Sequence, residues 1–301
     1  MKENEIVTQQ APVQVTEAPK KKNKKKALVL GIVAAVLELA VVLAVVLLGA
    51  KDTANEPNNL FSKGMVAASL NGNWGYLNEK AEWVIQPQFD DARSFAENGL
   101  AKVKINGKCG YIREDGSWAI QPQFDGAYSF TENGLVSVKI NGKCGYIRED
   151  GSWAIQPQFD DAGSFAENGL AVVKINGKWG YIREDGSWAI QPQFDLAGSF
   201  AENGLASVKI NDMWGYIRED GSWAIQPYLN FAYNFTENGL AEVEINGKCG
   251  LIREDGTWVI PAIYSFIFIY DDYVVVRDNE LYGVYDHDGK LIIPVIYEYL
   301  L

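Results

Sequence analysis

Residues 111–125 read YIREDGSWAIQPQFD, and the same fifteen residues return at 146–160 and at 181–195. Each copy begins 35 residues after the one before it. A fixed period of this size is typical of repeat architectures, in which one small structural unit is stacked many times. The repeated segment therefore decides the fold. It favours a repeated binding or structural surface over a single catalytic pocket.

A recurring glycine sets the register of the array. It stands at Gly75, Gly110, Gly145, Gly180, Gly215 and Gly250, each 35 residues apart, and then at Gly283 after 33. Seven units follow, at 65–99, 100–134, 135–169, 170–204, 205–239, 240–272 and 273–301. The middle units are nearly identical, whereas the first and the last two have drifted. Drifted ends are expected of a stacked array, because an end unit has a neighbour on one side only.

The units share the pattern G-L-A-x-V-K-I-N-G-K-(W/C)-G-Y-I-R-E-D-G-x-W-(A/V)-I-x-P-x-F-D-x-A-x-x-F. This pattern resembles the WG (KWG) repeat family of bacterial proteins, over residues 65–301. The resemblance implies an all-β repeat used for binding or scaffolding, and it brings neither catalytic residues nor a cofactor. The chain departs from the family pattern where other residues replace the first tryptophan, at Cys109, Cys144, Cys249 and Tyr282.

Three strands are predicted in each unit. In the second unit they span 101–105, 108–113 and 118–121. Asn106-Gly107 joins the first two, and Asn-Gly is the strongest short signal for a type I′ hairpin turn, since both central residues need positive φ. Pro122 cannot donate a hydrogen bond to a neighbouring strand, so we expect it to end the third strand.

The tight turns also predict which side chains share a face of the sheet. One face carries the small and aliphatic residues Ala101, Val103, Gly110, Ile112 and Ala119. The other face carries Cys109, Tyr111, Trp118 and Ile120. Neither face is plainly polar, so we expect neighbouring units to cover both, with Phe124, Ala127 and Phe130 filling the space between units. Gly110 leaves room for another backbone to approach.

Two architectures satisfy this pattern. One is an open solenoid or superhelix of three-stranded β-meander units, and the other is a closed seven-bladed propeller. Propeller blades usually have four strands in about 40–50 residues. A unit of 35 residues with three clear strands is short for a blade, so the sequence favours the open array.

Residues 27–50 form an apolar stretch of 24 residues that contains one charge, Glu38. About 20 apolar residues suffice to cross a bilayer as a helix, so we predict a single transmembrane helix here. Six lysines between 20 and 26 precede it, and the positive-inside rule then places the N-terminus in the cytoplasm and the repeats outside. A cleaved signal peptide is the rival interpretation, although its apolar core is usually only about 7–15 residues.

The flanking segments complete the domain organisation: a disordered basic cytoplasmic tail at 1–26, a linker at 51–64 and the repeats at 65–301. Glu38 is costly within a bilayer. It is either tolerated in protonated form or paired with a partner helix. Residues 51–301 carry 20 basic and 35 acidic side chains, a net charge of −15. This charge argues against a nucleic acid partner, whose phosphates would be repelled.

Catalytic and metal sites find little support. The only histidine is His287, inside the turn Asp286-His287-Asp288-Gly289, so neither a histidine-based triad nor a zinc site is supported. The repeated Glu-Asp-Gly segments lack the ligand spacing of an EF-hand and are explained as Asp-Gly turns. The three cysteines are interpreted as small apolar replacements for Trp, with a disulfide between Cys109 and Cys144 as the alternative.

One tryptophan per unit is the candidate ligand-binding set: Trp118, Trp153, Trp188, Trp223 and Trp258. Such rings stack on sugars and on flat apolar groups, although the same residues could simply hold neighbouring units together. We therefore predict a membrane protein whose external repeats form a non-enzymatic binding or scaffolding module for a protein or peptide. The alternative is binding of a cell-wall or capsular glycan through the tryptophan row. No cofactor and no metal are expected.

Overall fold

The computed structural model describes residues 60–299, which form 27 β-strands arranged in seven antiparallel sheets. Among these residues, no helix is long and apolar enough to cross a membrane. The predicted tail at 1–26, the transmembrane helix at 27–50 and most of the linker lie outside the described residues. The structure therefore bears on the repeats alone.

The strands follow one another along the chain, sheet by sheet. Sheet 1 contains β1 (Met65–Leu70), β2 (Asn73–Asn78) and β3 (Trp83–Phe89). Sheet 2 contains β4 (Asp91–Ala92), β5 (Leu100–Ile105), β6 (Lys108–Arg113) and β7 (Trp118–Phe124). Sheet 3 contains β8 (Gly126–Ala127), β9 (Leu135–Ile140), β10 (Lys143–Arg148) and β11 (Trp153–Phe159). Sheet 4 contains β12 (Asp161–Phe165), β13 (Leu170–Ile175), β14 (Lys178–Arg183) and β15 (Trp188–Phe194).

The last three sheets repeat this order. Sheet 5 contains β16 (Leu196–Ala197), β17 (Leu205–Ile210), β18 (Met213–Arg218) and β19 (Trp223–Leu229). Sheet 6 contains β20 (Phe231–Ala232), β21 (Leu240–Ile245), β22 (Lys248–Arg253) and β23 (Trp258–Tyr264). Sheet 7 contains β24 (Phe266–Ile269), β25 (Val274–Asp278), β26 (Leu281–Tyr285) and β27 (Leu291–Tyr297).

A fourth strand in sheets 2–7 corrects the prediction of three strands per unit. It is short and comes from the connector that follows the third strand of the preceding sheet. In sheet 2, Asp91 pairs with Lys104 and Ala92 pairs with Val103. Each unit thus gives its neighbour an extra strand, and the four-stranded sheets remove the strand-count argument against a blade-like unit.

The predicted hairpin turns are confirmed. Asn106 and Gly107 both have left-handed φ angles, 51° and 76°, as a type I′ turn requires. The same turn recurs at Asn71, Asn141, Asn176 and Asn246, each followed by glycine. Two copies depart from this rule, because Asp212 and Glu280 occupy the glycine position with φ of 64° and 68°. A side chain at such φ is strained.

A bulge in the third strand overturns part of the predicted facing. Ile112 pairs with Trp118, whereas its neighbour Tyr111 pairs with Ile120, so Ala119 is an extra residue on β7. Trp118 consequently shares the face of Ile112 and not that of Tyr111, as the sequence had suggested. The strand also continues to Phe124, so the prediction that Pro122 ends it is wrong.

Gly110 confirms the expected close approach of another backbone. A Cβ at this position would lie 2.7 Å from the carbonyl oxygen of Ile120 and 2.8 Å from the nitrogen of Pro122. These atoms belong to the bulged strand β7, which crosses over the glycine. Gly75, Gly145, Gly180 and Gly215 show the same contact in their own sheets.

The hydrophobic core is divided into six clusters, each lying between two consecutive sheets. Between sheets 2 and 3, Phe124 and Phe130 are buried and Ala127 packs against them, which confirms their predicted role between units. Tyr111 lies in the same cluster, and its hydroxyl donates a hydrogen bond to the carbonyl of Tyr128 at 2.7 Å. Equivalent tyrosines make this bond in sheets 1 and 3–5.

Candidate functional site

The tryptophan row lies at the contacts between sheets. Trp118, Trp153, Trp188 and Trp223 are half-buried, and each ring stands edge-on against an aromatic ring of the preceding sheet. The Phe89–Trp118 centroids, for example, lie 6.0 Å apart at 83°. In sheet 5, Leu229 replaces the phenylalanine against which the next tryptophan would pack, and that tryptophan, Trp258, is 39% exposed. The first four tryptophans pack units together, and the use of the row as ligand-binding residues stays a prediction.

A second repeated row lines two open cavities in the described part of the chain. It consists of the segments 95–98, 130–133, 165–168, 200–203 and 235–238, each reading Phe-(Ala/Thr)-Glu-Asn, which we call the loop row. Each segment joins the short first strand of a sheet to its second strand. Five copies of one loop therefore lie on the same side of five consecutive sheets.

The loop row lines two open cavities. One has a volume of about 1410 Å³ and lies among the loops of sheets 2, 3 and 4. The other has a volume of about 960 Å³, lies among the loops of sheets 4, 5 and 6, and also reaches Asp271 of sheet 7. Since Phe165 and Glu167 line both, the two cavities adjoin along one side of the array.

Hydrogen bonds hold each loop in place. In the first copy, the Ala96 amide donates to the Leu100 carbonyl at 2.9 Å, and the Leu100 amide donates to the side-chain oxygen of Asn98. The Asn98 amide group then donates to Glu149 of the next sheet at 2.9 Å. The same bond between sheets recurs from Asn133, Asn168 and Asn203. The loops are thus preorganised by their own repeat and by the following one.

The glutamates of the loop row point their charge into solvent. Glu97, Glu132, Glu167, Glu202 and Glu237 are all exposed, and Asp271 continues the series in sheet 7. Among residues 60–299, only Glu97 of this set has an ion-pair partner, Lys63 at 3.1 Å. One carboxylate per unit along a groove produces a regularly spaced negative potential that attracts cationic groups.

The remaining candidates occupy structural positions. Cys109 and Cys144 are buried free thiols in place of tryptophan, and burial raises the pKa of both. His287 stands where the preceding units have the glutamate that binds the loop asparagine, such as Glu149. Its Nδ1 atom lies 3.5 Å from the Asn238 amide group, and its Nε2 atom lies 2.9 Å from the Tyr270 carbonyl oxygen. Over the described range, no three His, Cys, Asp or Glu side chains come together as a metal ligand set would.

The Asp of each Glu-Asp-Gly turn also has a local role. Asp115 accepts the Ser117 amide at 2.8 Å, and its hydrogen bonds with Ser117 lower the pKa of the carboxyl group. The bond recurs at Asp150, Asp185, Asp220 and Asp255. Turn chemistry therefore accounts for the repeated Asp-Gly pairs.

Sequence reasoning missed the loop row because Phe-Ala-Glu-Asn reads as a connector with no strand or helix period. A signal was nevertheless present. A glutamate recurs every 35 residues from Glu97 to Glu237 in segments that need no acid for their turn. That regularity could have separated these acids from the rest of an acidic chain.

A family model for WG-containing repeats matches seven successive segments: 74–109, 110–144, 145–179, 179–214, 214–249, 250–282 and 282–301. The chain belongs to the WG-containing repeat family. The matches are consecutive; in this WG repeat protein they begin in the second strand of sheet 1 and continue through sheet 7. A comparison with curated proteins found no match.

The WG repeat array is similar to several solved structures of low sequence identity. A eukaryotic initiation factor superposes with a TM-score of 0.55 at 9% identity, covering 81% of this chain and 78% of that one. Kluyveromyces lactis Hsv2p gives 0.46 at 10% identity, over 79% and 97% of the two chains. The extracellular domain of a putative one component system, BT4673 of B. thetaiotaomicron, gives 0.41 at 10% identity, over 79% and 43%. On the match to the initiation factor, the seven antiparallel sheets resemble a propeller structure, and the likeness concerns the fold alone.

Proposed function

We propose that this protein is a membrane-anchored, extracytoplasmic module that binds or scaffolds a protein or peptide partner without catalysing a reaction. The loop row carries this proposal. It offers the same exposed carboxylate five times along adjoining cavities, held by hydrogen bonds within and between sheets. The complementary partner is an extended segment with several basic side chains, because opposite charges along an interface favour encounter and register.

Repetition strengthens such binding. Each loop presents one glutamate, so a single contact is weak at the surface. Several linked contacts add up, because each further one forms within an already bound complex. A long partner that follows the row gains from every unit, whereas a small molecule meets only one or two.

The equivalence of the repeated loops also supports a non-enzymatic role. A pair of catalytic carboxylates needs two different environments that separate the pKa values of an acid and a base. Glu132, Glu167 and Glu202 sit in equivalent, exposed positions of consecutive loops. Such equivalence suits repeated binding better than acid–base chemistry.

The membrane anchor rests on the sequence of residues 20–50. Six lysines followed by 24 apolar residues support one helix with the repeats on the outer side. Protease added to intact cells is then expected to degrade the repeats and leave the lysine-rich tail. Protection of the repeats in intact cells, with digestion only after lysis, would contradict this orientation.

We also propose that the array is open. Phe124 and its counterparts in sheets 1–6 are buried by the sheet that follows, whereas Tyr297 at the same position of sheet 7 is 46% exposed. Ile296 beside it is 62% exposed. Small-angle scattering is expected to report a particle longer than a closed seven-bladed disc. A scattering curve that fits the disc would overturn the open arrangement.

Affinity capture from membranes tests partner binding. The full chain is compared with a variant carrying Glu132→Lys, Glu167→Lys and Glu202→Lys. We expect proteins retained by the native chain to be lost, because the charge of the groove is reversed. The matched control carries Gln121→Lys, Gln156→Lys and Gln191→Lys, which add positive charge with the same spacing at other exposed sites. Equal retention by all three chains would refute the role of the loop row.

Glycan binding through the tryptophan row is the alternative function. Its support is the partial exposure of the row, which is greatest at Trp258. A sugar polymer stacked on these rings would quench tryptophan fluorescence, whereas a peptide in the loop row would leave it largely unchanged. Quenching by cell-wall or capsular glycans, abolished by Trp258→Leu, would favour the alternative.

A further inference from the structure

A small pocket between sheets 6 and 7 departs from the repeated pattern. It has a volume of about 360 Å³ and is lined by residues of the loop before β21, of β21, of β24 and of the position directly after β24. The lining includes three aromatic residues, Tyr233, Phe268 and Tyr270, and one carboxylate, Glu242. All three aromatic side chains are about half-exposed, at 55%, 46% and 49%.

Strand pairing explains why the acid and the aromatic residues meet. Phe231 of β20 pairs with Glu244 of β21, and the Tyr233 amide donates to the Glu242 carbonyl at 3.0 Å. The Phe231 and Tyr233 rings lie 4.9 Å apart. Cross-strand neighbours share a face of the sheet, so two rings stand beside two carboxylates at this edge.

Glu242 lacks a cationic partner in the described part of the chain. None of the ion pairs found between residues 60 and 299 includes Glu242 or Glu244. The carboxyl group is half-buried, and burial raises its pKa; a hydrogen bond with the Cys249 thiol opposes this rise, and the charge of Glu244 adds to it. A half-buried carboxylate next to a like charge is costly unless a positive group joins it.

We propose that this pocket binds a quaternary ammonium cation of the size of choline. Aromatic faces attract a cation through the negative potential of their π-systems, and quaternary ammonium groups are recognised in this way. Such a cation has no N–H group and so needs no hydrogen-bond acceptors beyond the nearby charge. Glu242 supplies that charge, and Tyr233, Phe268 and Tyr270 supply the rings.

The surrounding acids select for a free cation over a phosphate-bearing headgroup. Glu244 acts on Glu242 from the same strand, and Asp271, next to Tyr270 in the chain, lines the neighbouring loop cavity. A phosphate tethered to the ammonium group would be repelled by these carboxylates. We therefore assign choline itself, and not glycerophosphocholine, as the better probe.

The chain contains its own matched control. In sheet 3, Tyr128 is 54% exposed, as Tyr233 is in sheet 6. Its amide donates to the carbonyl of Ser137 at 3.2 Å, which is the same backbone contact. Ser137 replaces Glu242, and Gly163-Ser164 stand where sheet 7 has Phe268 and Ile269 in the chain register. The sheet 3 position has the tyrosine without the carboxylate or the second ring.

Calorimetric titration of choline chloride into the full chain in maltoside micelles tests the assignment. We expect saturable binding that weakens about fivefold or more in Glu242→Gln and in Tyr233→Ala, and that is unchanged in Tyr128→Ala. The neutral isostere 3,3-dimethylbutan-1-ol is expected not to saturate. Near-ultraviolet circular dichroism confirms that each variant is folded, and Glu242→Gln preserves the shape of the side chain.

Three outcomes would overturn the proposal. They are the absence of saturable choline binding, equal binding of the neutral isostere, and equal loss in Tyr128→Ala. Binding of glycerophosphocholine as tight as that of choline would overturn the assignment of a free cation. None of these outcomes depends on the loop row, so the choline proposal and the proposed partner binding are tested independently.

Discussion

Gly145 in sheet 3 occupies a point where two backbones touch. A Cβ there would lie 2.6 Å from the Ile155 carbonyl oxygen and 2.7 Å from the Pro157 nitrogen. Three residues earlier, Gly142 has a positive φ of 78° but open space around it. Gly145 is required because a side chain would collide with the neighbouring backbone, whereas Gly142 is required for its backbone angle. The same residue type therefore meets two different physical requirements.

Alanine substitution separates the two demands. Gly145→Ala is expected to destabilise the protein by about 3 kcal/mol, because fixed backbone atoms must move to admit the methyl group. Gly142→Ala should cost about 1 kcal/mol, the cost of a side chain at positive φ. Urea unfolding followed by tryptophan fluorescence measures both. Equal losses would contradict the contact.

At the scale of elements, the hairpin and Glu-Asp-Gly turns were predictable and the strands between them only partly so. Asn106-Gly107 predicted its turn correctly, because few residue pairs tolerate positive φ angles at both positions. The bulge at Ala119 gave no signal, since Trp-Ala-Ile alternates like a regular strand. The short strand β4 holds only Asp91 and Ala92, too few residues to show a period. The loop row escaped for a similar reason, as its Phe-Ala-Glu-Asn segments carry no strand period.

A substitution in the turn between β17 and β18 is expected to stabilise the protein. Asp212 has a φ of 64° where five sister turns have glycine. Asp212→Gly is therefore expected to raise the free energy of unfolding by about 1 kcal/mol, because the strain of the left-handed angle is removed. Its ion pair with Lys209 is lost, but Asp212 is 97% exposed and such pairs contribute little. A lower midpoint in urea than that of the native chain would contradict this expectation; Gly177→Asp should show the reverse change.

The same turns predict a dependence on pH. Hydrogen bonds lower the pKa of Asp115 and its four counterparts, and the lysine partners of Asp125, Asp160 and Asp195 lower theirs. A carboxyl whose pKa is lower in the folded state stabilises it fully above the unfolded value of about 3.9, and this stability is lost as pH falls below that value. Thermal unfolding midpoints should be lower at pH 3 than at pH 6. A variant with Asp150→Asn and Asp185→Asn should show a smaller drop.

At the scale of the whole molecule, stability comes from contacts between neighbouring sheets. Every core cluster joins two consecutive sheets, and the same residue types return in each. The stacking of units was predictable, since both faces of each sheet were apolar in the sequence. The exposure of the last sheet was not predictable from the sequence, because β27 keeps the apolar pattern of a strand that is covered by a neighbouring sheet.

Matched positions in different sheets test this dependence on neighbours. Phe159 is 1% exposed under the following sheet, whereas Tyr297 at the same place in sheet 7 is 46% exposed. Phe159→Ala should cost about 3–4 kcal/mol, and Tyr297→Ala should cost less than about 1 kcal/mol. Unfolding in guanidinium chloride compares the two. A large loss at Tyr297 would mean that another surface covers it in solution.

The Asn–Glu bonds that link neighbouring sheets span only 51 residues of chain. Because each core cluster joins only two consecutive sheets, folding can begin at any unit and spread to its neighbours. Near-identical units carry a hazard, however. A hairpin can dock against the copy two places away as well as against its proper neighbour, which produces trapped intermediates of repeat proteins. The drift of the end units then has a kinetic benefit, since units that differ in sequence mark where the correct register starts and stops.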